Sequence, residues 1–150
     1  MIKAIILDVN GVIRFRNKFG LRTVINNELI KFVMNLQPKV KIGIITNVVT
    51  SSRKKLSSFE FFPKIDSLII SSEVRLRKPA KEIYELAVKE LGIKHNECIF
   101  IDDKLINIKG AENTGMKGIQ YKNLIQVMAD VKKCIKDNES IIDKIKHIIK

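Results

Sequence analysis

The chain has little of several residue types that mark specialised protein classes. It contains two cysteines, Cys98 and Cys134, and no tryptophan in 150 residues. Two cysteines are too few for the disulfide framework of a small secreted protein, and neither has a cysteine or histidine partner at metal-site spacing. With only seven glycines and three prolines, the composition is not that of a collagen-like or disordered chain either. These absences leave a packed domain with reduced cysteines.

Long uncharged apolar runs are also absent. A membrane-spanning helix needs about 18 such residues, and the apolar start of the chain is interrupted by Asp8. An isoleucine stripe over about 138–150 predicts an extra C-terminal helix, for which packing on the parent sheet is favoured over a partner helix or a membrane surface. We therefore expect a cytoplasmic protein with no membrane partner.

Acidic residues are in the minority. The chain has 28 Lys and Arg against 16 Asp and Glu, a net charge of +12. Such a charge attracts phosphorylated molecules, nucleic acids or acidic surfaces over long distances. The chain is also rich in Ile, Asn and Lys together, which a general compositional bias produces, so a solvated lysine coat is the favoured interpretation.

Short apolar runs alternate with amphipathic stretches along the whole chain. This pattern is typical of an α/β domain with a Rossmann-like parallel sheet and helices on both faces. The length predicts a single domain over 1–150. The predicted strands are 2–8, 40–46, 67–70, 97–102 and 117–121, and the predicted helices are 26–37, 79–92, 104–114 and 123–134.

Polar residues follow the predicted strands at the points where the strands end. Because the carboxyl ends of parallel strands open on one edge of a sheet, these side chains converge there. Carboxylates suit Mg²⁺, a lysine and a hydroxyl suit a phosphoryl group, and a carboxylate is able to attack phosphorus in line. Taken singly, each residue also fits a cap, a strand position or a solvated surface. The converging residues are Asp8, Thr46, Asn47, Lys78, Asp102 and Asp103.

Four motifs in this order resemble the haloacid dehalogenase superfamily, whose members are mostly Mg²⁺-dependent phosphatases that form an aspartyl-phosphate. They are ILDVNGVI (6–13), IITN (44–47), RKPAKEIY (77–84) and FIDDKLINIKGAENTGM (100–116). The resemblance covers about residues 1–121. The RKPxxxIY motif, and the pair DD followed by an asparagine and GA, are most similar to the phosphatase domain of soluble epoxide hydrolases.

The resemblance implies a role for each residue that faces the phosphoryl group. Asp8 is the nucleophile and also a metal ligand. Thr46 and Asn47 hold the transferring phosphoryl group, and Lys78 balances the charge of Asp8 and phosphate. The expected catalytic residues are therefore Asp8, Asn10, Thr46 and Lys78.

The resemblance also implies a magnesium site. Asp8, Asp103 and the backbone carbonyl of Asn10 are its expected protein ligands. Asp102 and Asn107 lie beside these ligands and orient the site or the waters on the metal.

Asn10 departs from the family pattern. Phosphatases of this superfamily usually carry an aspartate two residues after the nucleophile, as general acid and then base. An amide cannot shuttle that proton, so metal and phosphate binding survive while turnover falls by about 10²–10⁴-fold. Three explanations are open: a naturally slow or degenerate member, a substrate whose leaving group needs no protonation, or a laboratory change.

The sequence thus predicts a phosphomonoester hydrolase working through Asp8 and slowed by Asn10. The main alternative is a catalytically weak protein that binds a phospholigand or regulates. A dehalogenase is disfavoured because the surrounding motifs differ. A phospho-acceptor receiver domain is disfavoured because receivers carry their acidic pair at the first strand, whereas the pair here is Asp102 and Asp103.

The chain is too short between its motifs for a helical cap domain, so an open site is expected. Only a flap of about 12–25 remains between Asp8 and the helix at 26–37. Open sites suit macromolecular phosphorylated substrates, or subunits that close each other's sites. The flap interleaves arginines and a lysine with two phenylalanines, which suits a nucleic-acid or nucleotide phosphate. The favoured interpretation is that the phenylalanines pack inward while the basic residues are solvated; the basic residues are Arg14, Arg16 and Lys18, and the rings are Phe15 and Phe19.

Overall fold

Strands and helices alternate along the chain. The structure is a computed structural model that describes residues 1–48 and 53–148. Its strands are β1 (Ala4–Leu7), β2 (Arg14–Arg16), β3 (Thr23–Ile25), β4 (Lys41–Thr46), β5 (Ser67–Ile70), β6 (Cys98–Asp102) and β7 (Lys117–Gln120). Its helices are α1 (Asn27–Met34), α2 (Arg53–Ser57), α3 (Ser71–Val74), α4 (Lys81–Leu91), α5 (Leu105–Asn113) and α6 (Leu124–Ile148), with short 3-10 turns at Phe62–Lys64 and His95–Glu97.

Five parallel strands form the central sheet in the order β5-β4-β1-β6-β7. The first strand is the middle one, because the chain first adds β4 and β5 on one side and later β6 and β7 on the other. Leu7 pairs with Ile44 on one neighbour and with Ile101 on the other. All five predicted strands are confirmed, and so is the Rossmann-like parallel sheet.

Alternate residues of β1 face two separate layers of the core. Ile5 and Leu7 belong to the cluster beneath α1 and α6, whereas Ala4 and Ile6 belong to the cluster beneath α4 and α5. This alternation follows from the two-residue period of a strand. Because all four residues are buried, both faces of the sheet are covered by helices, as predicted.

Three helix boundaries differ from the predictions. The helix predicted over 26–37 covers Asn27–Met34 and is followed by a turn. The helix predicted over 79–92 begins at Lys81, because the backbone of Ala80 is extended and Pro79 belongs to the preceding loop. The extra helix predicted at about 138–150 is wrong as a separate element, since α6 continues unbroken through Ile148. The sequence from 124 to 148 contains no proline or glycine that would end the helix. Residues 149–150 of that prediction lie outside the described range.

The predicted flap is an antiparallel hairpin of β2 and β3. Its base is fixed by Asn26, whose amide nitrogen donates to the carbonyl of Val12 and to the hydroxyl of Tyr121, both at 3.0 Å. Phe15 packs against Tyr121 with ring centroids 5.6 Å apart, while Phe19 is 79% exposed. The inward packing predicted for both phenylalanines is therefore confirmed for Phe15 and wrong for Phe19.

The segment between β1 and α1, which is described throughout, contains this hairpin and its turns but no helical domain. None of the helices within the described ranges is long and apolar enough to cross a membrane.

Candidate active site

The candidate site lies at the carboxyl edge of the sheet, around the end of β1. Asp8 follows β1 directly, Thr46 is the last residue of β4, and Asp102 is the last residue of β6. Since β4 and β6 flank β1, the three residues are neighbours although they are far apart in sequence. This is the point at which the chain switches direction across the sheet, where α/β proteins usually bind ligands.

Lys78 connects the acidic residues of the site. Its ammonium nitrogen donates to Asp8 Oδ1 and to Asp102 Oδ2, each at 2.7 Å, and to the carbonyl of Ile45 at 3.0 Å. These contacts use all three protons of the ammonium group. The side chain is 1% exposed, so the ion pairs are shielded from water. Lys78 therefore holds two carboxylates at a fixed position.

The loop that carries Lys78 is itself held in place. The Asn47 side chain donates to the carbonyl of Lys78 at 2.9 Å and accepts from its backbone N–H at 3.0 Å. Gly110 of α5 lies so close to this loop that a Cβ there would be 2.7 Å from the carbonyl oxygen of Pro79. The Asn47 side chain thus positions Lys78, and the predicted contact of Asn47 with phosphate stays a prediction.

Asp102 is completely buried, and both oxygens of its carboxylate accept hydrogen bonds. Besides Lys78, its carboxylate accepts from Asn107 Nδ2 at 3.0 Å and from the backbone N–H of Lys104 at 2.8 Å. The hydroxyl of Tyr84 donates to the carbonyl of Asn107 at 2.8 Å. Asp102 therefore holds Lys78, and Asn107 holds Asp102. Their predicted role beside the metal ligands stays a prediction.

Three carboxylates are close enough to share a cation. Asp8, Asp102 and Asp103 each offer an oxygen, and these oxygens lie within 4.8 Å of one another. Oδ1 of Asp103 is buried and has no hydrogen-bond partner in the described part of the chain. Three carboxylates and the one ammonium of Lys78 leave an excess of negative charge that a divalent cation would balance. The residues present therefore fit a hard divalent cation.

The crowding of these groups changes their proton affinity. Burial raises the pKa of Asp8 to about 6; the charge of Asp102 adds to this rise, and Lys78 opposes it. Burial and the neighbouring Asp102 also raise the pKa of Asp103. With a pKa of about 6, Asp8 is mostly ionised at neutral pH and is available as a nucleophile.

Thr46 presents an unused hydroxyl at the same edge. Its side chain is buried, and Oγ1 has no hydrogen-bond partner in the described residues. A buried hydroxyl without a partner is costly, which a bound acceptor such as phosphate would relieve.

Asn10 faces the flap. Its amide oxygen accepts from Nε of Arg14 at 3.1 Å and from Nη2 at 2.5 Å. The intervening Gly11 has φ of +85°, and a Cβ there would be 2.4 Å from Oδ2 of Asp103. Only glycine combines this backbone with such a close approach. The side chain of Asn10 is therefore engaged with Arg14.

Two roles were missed in the sequence. The hydroxyl of Tyr84 supports Asn107, and the place of Tyr84 at the end of the RKPAKEIY motif was the available signal. The pairing of Arg14 with Asn10 depends on the hairpin geometry and has no signal in the sequence beyond a spacing of four residues.

Similar sequences identify the class to which this fold and site belong. Residues 14–115 match a hydrolase family described as haloacid dehalogenase-like hydrolase. The chain therefore belongs to the haloacid dehalogenase-like hydrolases, as its motifs predicted. The matched range begins after Asp8 and Asn10, so the roles predicted for these two residues stay predictions.

Curated relatives include phosphatases. Over 90 residues the chain is 33% identical to a glyceraldehyde 3-phosphate phosphatase of Methanocaldococcus jannaschii, covering 58% of this chain and 40% of that protein. Over 118 residues it is 30% identical to the bifunctional epoxide hydrolase 2 of Mus musculus, covering 73% and 21% respectively. The second match agrees with the predicted subgroup. The chain spans less than half the length of both relatives.

Solved structures share the fold at low sequence identity. A protein of Corynebacterium glutamicum superimposes with a TM-score of 0.77 at 17% identity, covering 89% of this chain and 95% of that one. A haloacid dehalogenase family enzyme of Bacteroides thetaiotaomicron, crystallised with magnesium and inorganic phosphate, has a TM-score of 0.69 at 17% identity, covering 81% and 95%. These likenesses support the fold of the whole described domain.

Proposed function

We propose that the protein is a Mg²⁺-dependent phosphatase that hydrolyses phosphomonoesters through an aspartyl-phosphate on Asp8. The observation that carries this proposal is the buried ammonium of Lys78, which bridges Asp8 and Asp102 beside the unpartnered hydroxyl of Thr46. This arrangement combines a nucleophile with a buried positive charge and with one hydroxyl that is free to donate to a phosphoryl oxygen. The names of the curated relatives, among them a glyceraldehyde 3-phosphate phosphatase, support the same reaction.

In the first step, a carboxylate oxygen of Asp8 forms a bond to phosphorus while the bond to the ester oxygen breaks. Lys78 fixes the orientation of Asp8 and offsets the negative charge that accumulates. The hydroxyl of Thr46 donates to a phosphoryl oxygen. A Mg²⁺ held by Asp8, Asp103 and the backbone carbonyl of Asn10 would supply further charge neutralisation. In the second step, the oxygen of a water molecule bonds to phosphorus while the bond between phosphorus and the Asp8 oxygen breaks. The water gives up its proton to solvent, and inorganic phosphate and the Asp8 carboxylate are the products.

Asn10 determines how the leaving group departs. An amide has no proton to give, so the leaving oxygen takes its proton from solvent. Losing general acid help costs about 10²–10⁴-fold in rate. The proposed enzyme therefore favours esters with good leaving groups.

The proposal includes an open, capless site. The hairpin of β2 and β3 is the only structure between β1 and α1, so the mouth is accessible to large as well as small phosphorylated molecules. A cytoplasmic location stays a prediction of the sequence.

Asn10 also favours a second function, a phospholigand-binding or regulatory protein. Such a protein keeps Lys78, Thr46 and the carboxylates but does not turn over. It predicts Mg²⁺-dependent binding of phosphate esters without their hydrolysis.

Hydrolysis of p-nitrophenyl phosphate separates the two functions. The chain, Asn10→Asp and Asp8→Ala are compared with and without Mg²⁺, and circular dichroism verifies that all three are folded. The phosphatase proposal expects low Mg²⁺-dependent activity in the chain, a gain in Asn10→Asp and none in Asp8→Ala. Folded proteins without activity in both the chain and Asn10→Asp would refute it. Binding of phosphate esters by those inactive proteins would favour the regulatory function.

A further inference from the structure

A cationic cavity lies beside the proposed phosphatase site. It has a volume of about 500 Å³ and extends between the hairpin and α2. Three of its lining residues are basic: Arg14 and Arg16 of β2, and Lys55 of α2. None of the lining residues that the structure describes is acidic. A cavity of this size and charge suits a small anionic group, because ligand sites commonly measure about 300–1,000 Å³.

The cavity shares a wall with the carboxylate cluster. Gly11 lines the cavity, and a Cβ on Gly11 would be 2.4 Å from Oδ2 of Asp103. A substrate whose two anionic groups are joined by a short spacer is therefore able to reach the carboxylate cluster and the cavity at the same time. The charges of the two sites differ: the carboxylates are complementary to a cation that would accompany the reacting phosphoryl group, and the arginines are complementary to a second anion.

Asn10 positions Arg14 without cancelling its charge. Both hydrogen bonds of the guanidinium to residue 10 end on a neutral amide oxygen. An aspartate at this position would form an ion pair with Arg14 and reduce its attraction for another anion. The amide that removes the general acid therefore keeps the cavity cationic.

We propose that this cavity binds a second anionic group of the substrate, with Arg14 as the residue that determines this specificity. The substrate class is a small phosphomonoester that carries a second phosphate or a carboxylate. This inference rests on the proposed phosphatase function and specifies its substrate. A small molecule is favoured over a nucleic acid because Phe15, the ring that lines the cavity, packs against Tyr121.

The test compares alkyl monophosphates with alkanediol bisphosphates and ω-carboxyalkyl phosphates of matched chain length. We expect kcat/KM to be higher for one of the two series that carry a second anionic group. Arg14→Gln and Lys55→Gln, which lie on separate elements, should each lower that preference by about tenfold or more, the usual effect of losing one charge-assisted contact. Lys18→Gln is the matched control, because Lys18 is a flap cation outside the cavity lining, and it should leave the preference unchanged.

Calorimetry provides a readout that does not depend on turnover. In the Asp8→Ala background, Arg14→Gln should weaken the binding of the bisphosphate more than the binding of the monophosphate. Asn10→Asp should reduce the bisphosphate preference even where it raises turnover. Equal kcat/KM and equal affinity for phosphate esters with and without a second anionic group would overturn the inference while leaving the phosphatase function intact. Tighter binding of esters with a second anionic group, without hydrolysis of any ester by the unaltered chain, would instead refute the phosphatase function. The cavity would then remain as an anion site.

Discussion

Replacing Lys78 with methionine tests whether this residue holds the site together. Its ammonium lies 2.7 Å from both Asp8 and Asp102 and is almost completely buried. Methionine fills a similar volume but removes the charge. The two carboxylates, whose nearest candidate ligand oxygens lie within 4.8 Å of each other, would then repel without compensation.

The expected cost is large for a single substitution. Two unit charges at this separation repel by about 3.5 kcal/mol at an effective dielectric constant of about 20. Breaking a buried ion pair by removing one partner costs about 3–5 kcal/mol, which agrees. For a domain of this size, each kcal/mol corresponds to about 2–4 °C, so Tm should fall by about 6–20 °C.

The assay is urea unfolding of the chain and Lys78→Met at a pH well above the pKa of Asp8. Lys78 lowers the pKa of Asp8, so in Lys78→Met this pKa should lie above the value of about 6 in the unaltered chain. Protonation of Asp8 relieves the repulsion, so the loss of stability should shrink as the pH falls. Lys81→Met is the control, because its 3.8 Å pair with Glu85 is exposed and should matter by less than about 0.5 kcal/mol. Adding Asp102→Asn to Lys78→Met should restore part of the loss. A loss below about 1 kcal/mol, or no dependence on pH, would refute this account.

Three further substitutions test the supports of the site. Asp103→Asn should weaken Mg²⁺ binding by about tenfold or more in calorimetry with little change in fold, because it replaces a carboxylate, one of whose oxygens has no partner among the described residues, with a neutral amide; equal affinity would remove Asp103 from the metal site. Asn47→Ala should lower the free energy of unfolding by about 1–3 kcal/mol, since the backbone N–H and carbonyl of Lys78 lose their partner; an unchanged value would contradict this role. Gly110→Ala should destabilise by about 1–3 kcal/mol in the same assay despite better helix propensity, because its Cβ meets the backbone of Pro79, whereas the exposed Lys109→Ala should not.

The fold was predictable because burial on both faces leaves a strong pattern. In β1, Ala4 to Leu7 are all apolar, which is typical of a strand covered on both sides. The boundary at Pro79 was not predictable in this way, since a proline suits both the first turn of a helix and the loop before it. In this structure Pro79 lies in the loop, and the loop places Lys78 next to Asp8 at the carboxyl edge of the sheet.

The candidate site was predictable where its residues end strands, and less so where they lie in loops. Asp8, Thr46 and Asp102 converge because a parallel sheet places its carboxyl ends together. The hydrogen bonds between the Asn47 side chain and the backbone of Lys78 depend on two loops that approach each other. The hydrophobic pattern of the sequence does not predict such an approach. An asparagine after a strand is equally consistent with contacting a ligand or a neighbouring backbone.

The position of Asn10 shows how one residue serves two demands that oppose each other. A carboxylic acid there would help the leaving group, but its anion would pair with Arg14, lower its own pKa and weaken its ability to donate a proton. The amide gives up proton transfer and keeps the cavity beside it positively charged. Turnover and recognition of a second anion are therefore expected to change in opposite directions at this position. This opposition distinguishes an Asn10 that determines specificity from an Asn10 that is only a lost general acid. If Asn10 were only a lost general acid, Asn10→Asp would restore turnover equally for phosphate esters with and without a second anionic group.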